Sequence, residues 1–440
     1  MSLPDHFSYH FNPVGQGLFS SGAICRSGEN VPRFLWVYDC GTSSSENLVE
    51  SGIQRLKHYA GTRERIDLLT LSHFDHDHIS GLTRLLREFK IGTLMLPYMQ
   101  LAQRLVLSFE EGSGGIDDPM TGFYLNPVAF LLAQDGPGIE RILFVLPSGN
   151  DGPPYPGEVP IPQQPGPDDE PEIQFDSDKP RDLDDVGSLV QEAQQTKHGT
   201  SVDFLHPGAR ITLAAYLWEF IPYNDDHQEE IPIGFINQVA AERADLLSAT
   251  SVTARKESLR RLKNAYDDHF GVGSEERNVI SLFLYSGPIY PNWKTCWLTE
   301  GRSHSWRNDW RWHRWPLPDM HTWDLREHSE EPTRPRCSIL YSGDGYLDTD
   351  ERLQKLIKYL DGRRVRRIGV FQVMHHGAET NWHQGTAEAI APLFSIFCSD
   401  PERKKWKHPH ASVLRDFWRY GAVQVDKNVD FTASGYLSHK

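Results

Sequence analysis

Arg65-Ile66-Asp67-Leu68-Leu69-Thr70-Leu71-Ser72-His73-Phe74-Asp75-His76-Asp77-His78-Ile79-Ser80-Gly81-Leu82 is the stretch around which the chain is organised. Its apolar run, Ile66 to Leu71, reads as a buried strand with charge before it and polar residues after it. Five titratable side chains then fall within the six positions from His73 to His78. Gly81 follows, and an amphipathic run begins through Leu82, Leu85, Leu86 and Phe89. A strand ends, a short loop carries imidazoles and carboxylates, and a helix starts. Crowding such groups at a strand's carboxyl end is costly unless something neutralises them, and a metal ion does so directly. A polar turn with Asp77 as a helix cap is the competing reading. The metal reading is preferred.

The pattern is His-x-Asp-x-Asp-His-x-x-Gly, carried by His73, Asp75, Asp77, His78 and Gly81. It resembles the signature of the metallo-β-lactamase fold, whose usual form is His-x-His-x-Asp-His. Asp75 stands where most of that superfamily has its second His. In its context, Leu71 to Leu82, the variant looks most like the hydrolase domain of the ComEC-type competence DNA-channel proteins. That domain is regarded in its family as a metal-dependent nuclease. The resemblance implies an α/β fold, a four-layer αβ/βα sandwich, here interrupted by two large insertions.

Size and composition bound the remaining choices. At 440 residues and 38% hydrophobic, the chain can bury a sizeable core, as one large domain with insertions or as two domains. It has no run of eighteen apolar residues, so no membrane span is expected. Asp5, His6 and Asn12 occupy the place of a signal segment, so export is not expected either. Here the chain departs from the competence proteins, which are membrane channels. Cys25, Cys40, Cys296, Cys337 and Cys398 are widely spaced without a Cys-x-x-Cys pair, which reads as reduced thiols in a cytoplasmic protein. The net charge of −15 argues against a surface generally coated with nucleic acid, while a local basic groove stays open.

Along the chain, residues 7–40 alternate apolar and polar positions around glycines and read as a β-meander ending in Asp39-Cys40-Gly41. Leu48, Ile53 and Leu56 suggest a helix, and Ile91 to Pro97 another buried strand. From 101 to 275 the chain leaves the resemblance and reads as a helical and irregular insertion. Leu101–Phe109 and Pro127–Ala133 look helical, and Asn237–Phe270 is expected to form one or two long helices covering the sheet. The acidic, Pro-rich stretch of about 147–186 reads as an exposed loop. His198, Asp203, His206 and His227 in this insertion are weak ligand candidates.

The family pattern resumes at Arg277 to Tyr285, where Asn278 and Ser281 precede an apolar strand. Strands over Cys337–Tyr341 and Ile368–Val373 lead into Gly343-Asp344 and His375-His376-Gly377, and Lys407-His408-Pro409-His410 opens a helix through Val413, Leu414 and Phe417. The resemblance covers 1–100 and 276–440, apart from a second insertion over about 288–335. It implies roles for these positions. His73 and Asp75 would hold one divalent ion, and Asp77 and His78 a second. Asp344 would bridge them, His375 or His376 would complete the set, and Asp39 and Asn278 would support the ligands from behind. His408 is a candidate substrate-side or acid residue, and Asp77 and Asp344 are the carboxylates expected to carry catalysis. His76 stands at a position that usually varies.

Two divalent ions can clamp both oxygens of a phosphodiester displacement. The oxygen-rich donor set makes Mn2+ a serious competitor to Zn2+. The second insertion interleaves Trp306, Trp310, Trp312 and Trp315 with arginines that include Arg307, Arg311 and Arg314. Trp offers stacking faces and Arg phosphate contacts, as single-stranded nucleic acid requires. The expectation is therefore a soluble two-metal nuclease acting on DNA. The alternatives are a small phosphodiesterase of the cyclic-nucleotide type, or a scaffold that docks a protein partner or oligomerises through the Trp/Arg insertion. Arg363-Arg364-Val365-Arg366-Arg367 reads as a solvated basic run.

Overall fold

The computed structural model describes residues 5–26, 29, 31–110, 120–155, 173–175, 199–213, 216–225, 231–247, 252–270, 280–289, 293–301, 336–403 and 407–439. The strands, in chain order, are β1 (Asp5–Phe11), β2 (Phe19–Cys25), β3 (Phe34–Cys40), β4 (Arg65–Thr70), β5 (Lys90–Pro97), β6 (Ile139–Val145), β7 (Ile173–Gln174), β8 (Ser201–Leu205) and β9 (Ile211–Leu213). They continue with β10 (Trp218–Asn224), β11 (Leu282–Pro288), β12 (Trp293–Gly301), β13 (Ser338–Tyr341), β14 (Ile368–Gln372), β15 (Phe394–Cys398), β16 (Ala422–Val425) and β17 (Phe431–His439). Among the described residues they form two sheets, ordered β12-β17-β1-β2-β3-β4-β5-β6-β8 and β16-β15-β14-β13-β11-β10-β9-β7.

Side-chain alternation assigns the layers. In β3, Phe34, Trp36 and Tyr38 point between the sheets, while Leu35 and Val37 point outward to the first helical layer. β11 does the same in the second sheet: Leu282 and Leu284 face the central core, and Phe283 and Tyr285 face the outer helices. The helices Glu46–Ala60 and Leu82–Glu88 cover the first sheet, and Asp350–Leu360 and Ala411–Phe417 cover the second. The result is a four-layer αβ/βα sandwich of the metallo-β-lactamase type. Asp67, the one charge inside the apolar run of β4, is buried. Its carboxylate accepts from Leu35 N–H and pairs with Arg63 and Arg65.

Strands β3, β4 and β5 run parallel, as do β13, β14, β15 and β16. Parallel strands deliver their carboxyl ends to one edge, where the loops after β3, β4, β13, β14 and β15 meet. Leu282 N–H donates to Ser72 C=O at 2.7 Å and ties the sheets together there. Gly343, with φ +53°, permits the approach: a Cβ on it would lie 2.4 Å from Ser281 Oγ and 2.6 Å from Ser72 Cβ.

Several expectations change. The 101–275 stretch supplies five strands, β6 to β10, so its backbone completes both sheets. The helices Ile233–Leu247 and Val252–Phe270 pack on Leu101–Glu110 as a separate apolar cluster instead of covering the sheet. The start of the second insertion pairs with β17 as the edge strand β12. The basic run is not merely solvated, since Arg364 and Arg367 are buried. Arg364 forks onto Glu219, Nε to Oε1 at 2.9 Å, and donates to the carbonyls of Pro153 and Pro154 at 3.0 Å. Arg363 lies over the Tyr155 ring at 4.5 Å. The beginning of the Pro-rich stretch is thereby held against the body of the protein. Cys337 is disulfide-bonded, against the expectation of reduced thiols, while Cys25, Cys40 and Cys398 are buried free thiols. No described helix is long and apolar enough to cross a membrane.

Candidate metal centre

The loop after β4 places His73, Asp75, Asp77 and His78 at the shared edge, the last two in the short helix His76–Ile79. His76 in the same helix is exposed and joins no ligand group among the described residues. Asp344 follows β13, and His375 and His376 follow β14. Both histidines of this turn have positive φ, 43° and 57°, a conformation that costs energy in non-glycine residues and persists only where the surroundings hold it. The holding bonds run from His375 N–H to Gly343 C=O and from Ala378 N–H to His375 C=O.

Asp344 is the centre of the arrangement. Its carboxylate lies 3.0 Å from His78 Nε2, 3.6 Å from His375 Nε2, 3.7 Å from His73 Nε2 and 3.8 Å from His376 Nε2. His376 Nε2 is 3.1 Å from Asp77 Oδ2, and His73 Nε2 is 3.5 Å from Asp75 Oδ2. Two overlapping ligand groups result, His73/His78/Asp344 and Asp77/His78/His376, each able to hold an ion. His73 Nε2, His78 Nε2 and Asp344 Oδ1 are buried without a hydrogen bond. Such orphaned donor atoms, converging on one point, are what a divalent cation satisfies. The residues present fit the ion.

The Nδ1 side of each imidazole is occupied, which fixes the tautomer. Asp39 accepts from Ser72 N–H at 2.7 Å and from the Ser72 hydroxyl at 2.6 Å, and its Oδ2 accepts from His78 Nδ1–H at 2.8 Å. With its proton given to Asp39, Ser72 Oγ accepts from His73 Nδ1–H at 2.7 Å. His376 Nδ1–H donates to Cys398 C=O at 2.5 Å, and His375 Nδ1–H to Asn381 Oδ1 at 2.9 Å. All four Nε2 atoms are left facing the centre. Burial alone would raise the Asp344 pKa, but the His78, His375 and His376 imidazoles outweigh it and hold the carboxylate well below the usual range. Burial likewise opposes the charged form of His78, yet Asp344 and Asp39 push its pKa well above the ordinary value.

His408 is buried beside the cluster, its ring 5.6 Å from His375 and 6.1 Å from His376, stacked on the latter. Burial, then the neighbouring imidazoles, depress its pKa to about 3. These surroundings favour its neutral form. Asn278 and Trp306, Arg307, Trp310, Arg311, Trp312 and Arg314 lie outside the described residues, as do His198 and His227. Asp203 pairs with Arg141 on β8, and neither it nor His206 joins a ligand group among the described residues. The sequence reading missed Ser72 and Asn381. Ser72 sits inside the quoted stretch beside a ligand, whereas nothing in the local pattern marks Asn381.

The fold is a sandwich of the metallo-β-lactamase type, and its edge carries a candidate metal centre built from His73, Asp77, His78, Asp344 and His376. Residues 23–98 match the family model described as Metallo-beta-lactamase superfamily, a segment that includes Asp39 and the whole loop from His73 to His78. A solved metallo-beta-lactamase from Cronobacter sakazakii (Enterobacter sakazakii), a HARLDQ motif mutant, aligns at 14% identity over 58% of this chain and 92% of its own. Its TM-score is 0.17, too low for the likeness to carry an argument. No curated protein matches the chain.

Proposed function

We propose that this chain is a two-metal phosphodiesterase whose substrate is DNA. The observation that carries the reading is the Asp344 carboxylate, within 4 Å of four imidazole nitrogens and flanked by Asp75 and Asp77. A carboxylate so placed would be shared by two ions, and paired ions would supply Lewis-acid polarisation and charge neutralisation at a phosphodiester. His73, His78 and Asp344 would hold one ion and Asp77, His78 and His376 the other, with Asp75 beside His73 and His375 beside Asp344. The protein's own part is to fix those seven donors: Asp39, Ser72, Asn381 and the Cys398 carbonyl hold the rings, and the buried strand ends exclude water from behind them.

The carboxylate at Asp75, where the superfamily mostly has His, supports phosphodiester over amide hydrolysis, as does the resemblance to the competence-type nuclease domain. Three carboxylates beside four imidazoles suit Mn2+ as well as Zn2+. Elemental analysis of the purified protein, followed by assays with each ion on single-stranded DNA, double-stranded DNA and bis-p-nitrophenyl phosphate, tests the reading. Release of nucleotides or of nitrophenol by the loaded protein is expected. A fully loaded protein that cleaves none of the three overturns it.

A further inference from the structure

The helix Ala411–Phe417 starts at the metal site. His410 N–H donates to Gly377 C=O at 2.9 Å, its Nδ1 accepts from Glu379 N–H at 2.9 Å, and His408 just before it touches the rings of His375 and His376. Val413 and Phe417 anchor the inner side: both are fully buried, and Phe417 packs on Phe371 and Phe397. At about 100° per residue, that anchoring turns Arg415, Trp418 and Arg419 outward on one face, and all three are exposed. Trp418, still in helical conformation, is 70% exposed, an unusual state for the largest apolar side chain.

The charges on this helix are sorted. Its one acid, Asp416, is turned inward, where it accepts from Trp382 Nε1–H at 3.0 Å and Ala387 N–H at 3.2 Å. Arg415 and Arg419 form no ion pair among the described residues. Lys407, exposed, stands one residue before His408. An indole flanked by two unpaired guanidiniums, on a protein of net charge −15, is a local exception to the molecule's own field. Trp418 lies about 12 Å along the helix from its start at the site, the distance of a few nucleotides from a phosphate held there.

We infer that the Arg415/Trp418/Arg419 face grips single-stranded DNA beside the scissile phosphate, Trp418 stacking on an unpaired base and the arginines contacting flanking phosphates. This inference rests on the nuclease reading and adds the residues that hold the strand outside the metal centre. It differs from the Trp/Arg insertion, which belongs to another part of the chain.

The test is binding of a fluorescent single-stranded oligonucleotide with phosphorothioate linkages, which resist cleavage, measured by anisotropy on the metal-loaded protein. Trp418→Ala should weaken binding about tenfold or more, the scale of one lost base stack, and Trp418→Phe should restore most of it. Arg415→Ala with Arg419→Ala should lower the slope of log affinity against log salt by about 1.4, the release from two phosphates on a single strand. Circular dichroism of each variant confirms the fold, which the exposure of these side chains leaves standing. Unchanged affinity and salt slope in folded variants overturn the inference and leave this face for a protein partner. Wild-type hydrolysis of bis-p-nitrophenyl phosphate, assayed in parallel, reports separately on the nuclease reading: activity there with unchanged oligonucleotide binding removes only the strand grip.

Discussion

Asp39 Oδ2 lies 2.8 Å from Nδ1 of His78, across the 39 residues that separate the ends of β3 and the metal loop. The carboxylate touches no candidate ion site, yet it determines which nitrogen of His78 faces Asp344. Through Ser72 it does the same for His73. Asp39 has φ +56°, a region that Asn tolerates nearly as well as Asp. Asp39→Asn should therefore keep the backbone and lower metal affinity about 10- to 100-fold, as lost orienting partners do elsewhere. Competition against a chelating dye measures it. Unaltered affinity would mean that the rings are held by packing alone.

Removing Asp344 or Asp77 acts on the centre itself. Asp344→Ala and Asp77→Ala should each reduce hydrolysis by on the order of a hundredfold or more, because ion-mediated charge stabilisation is a large part of such catalysis. Neither side chain contributes apolar burial, so thermal unfolding in chelator should stay cooperative. Near-normal turnover with saturating metal in either variant would show that the assigned donors are wrong.

Arg364 and Glu219 form an ion pair that is almost completely buried, at 1% and 2% side-chain exposure. Arg364→Met leaves the buried Glu219 carboxylate under-paired, with Arg210 at 3.6 Å its remaining ion-pair partner among the described residues, and should cost about 3 kcal/mol in urea unfolding. Arg364→Met with Glu219→Leu should recover much of that loss, since an apolar pair removes the under-paired charge. A double variant as unstable as the single one would place the cost in the lost Pro153 and Pro154 contacts instead.

His10 links stability to pH. Its ring bonds Thr432 Oγ1 and Ser8 Oγ at 3.0 Å each and packs on Tyr59. Burial, and then the charge of His6, lower its pKa from 6.5 to about 4. Between those values the unfolded chain binds a proton that the folded one does not. Stability is then full above pH 6.5 and falls as pH drops toward 4, by on the order of 2–3 kcal/mol. His10→Gln should flatten this part of the stability curve, measured by urea unfolding at stepped pH. An unchanged slope would assign the acid sensitivity to other groups.

What the sequence by itself determined is local. The strand-loop-helix from Arg65 to Leu82 carries four candidate ligands within six positions, because adjacent side chains at a strand's end share one edge whatever the rest of the chain does. The apolar strands before Asp344 and before His375 were legible for the same reason, from short contiguous runs. Only the tertiary structure decided that Asp344 lies among four imidazoles, since its distance to His73 depends on two sheets packing through Trp36, Tyr38 and Tyr341. It also decided that His375 and His376 both face the centre, through a turn at positive φ that no residue pattern announces. The 101–275 stretch hid its strands because β7, β8 and β9 are only 2, 5 and 3 residues long, and β6 pairs with β5 and β8 across long connections, so its place is set by distant pairing instead of by local periodicity. Arg364 reads as a surface cation until Glu219, 145 residues away, is brought against it. On the last helix it is packing against Phe371 that turns Phe417 inward and leaves Trp418, the next residue, exposed.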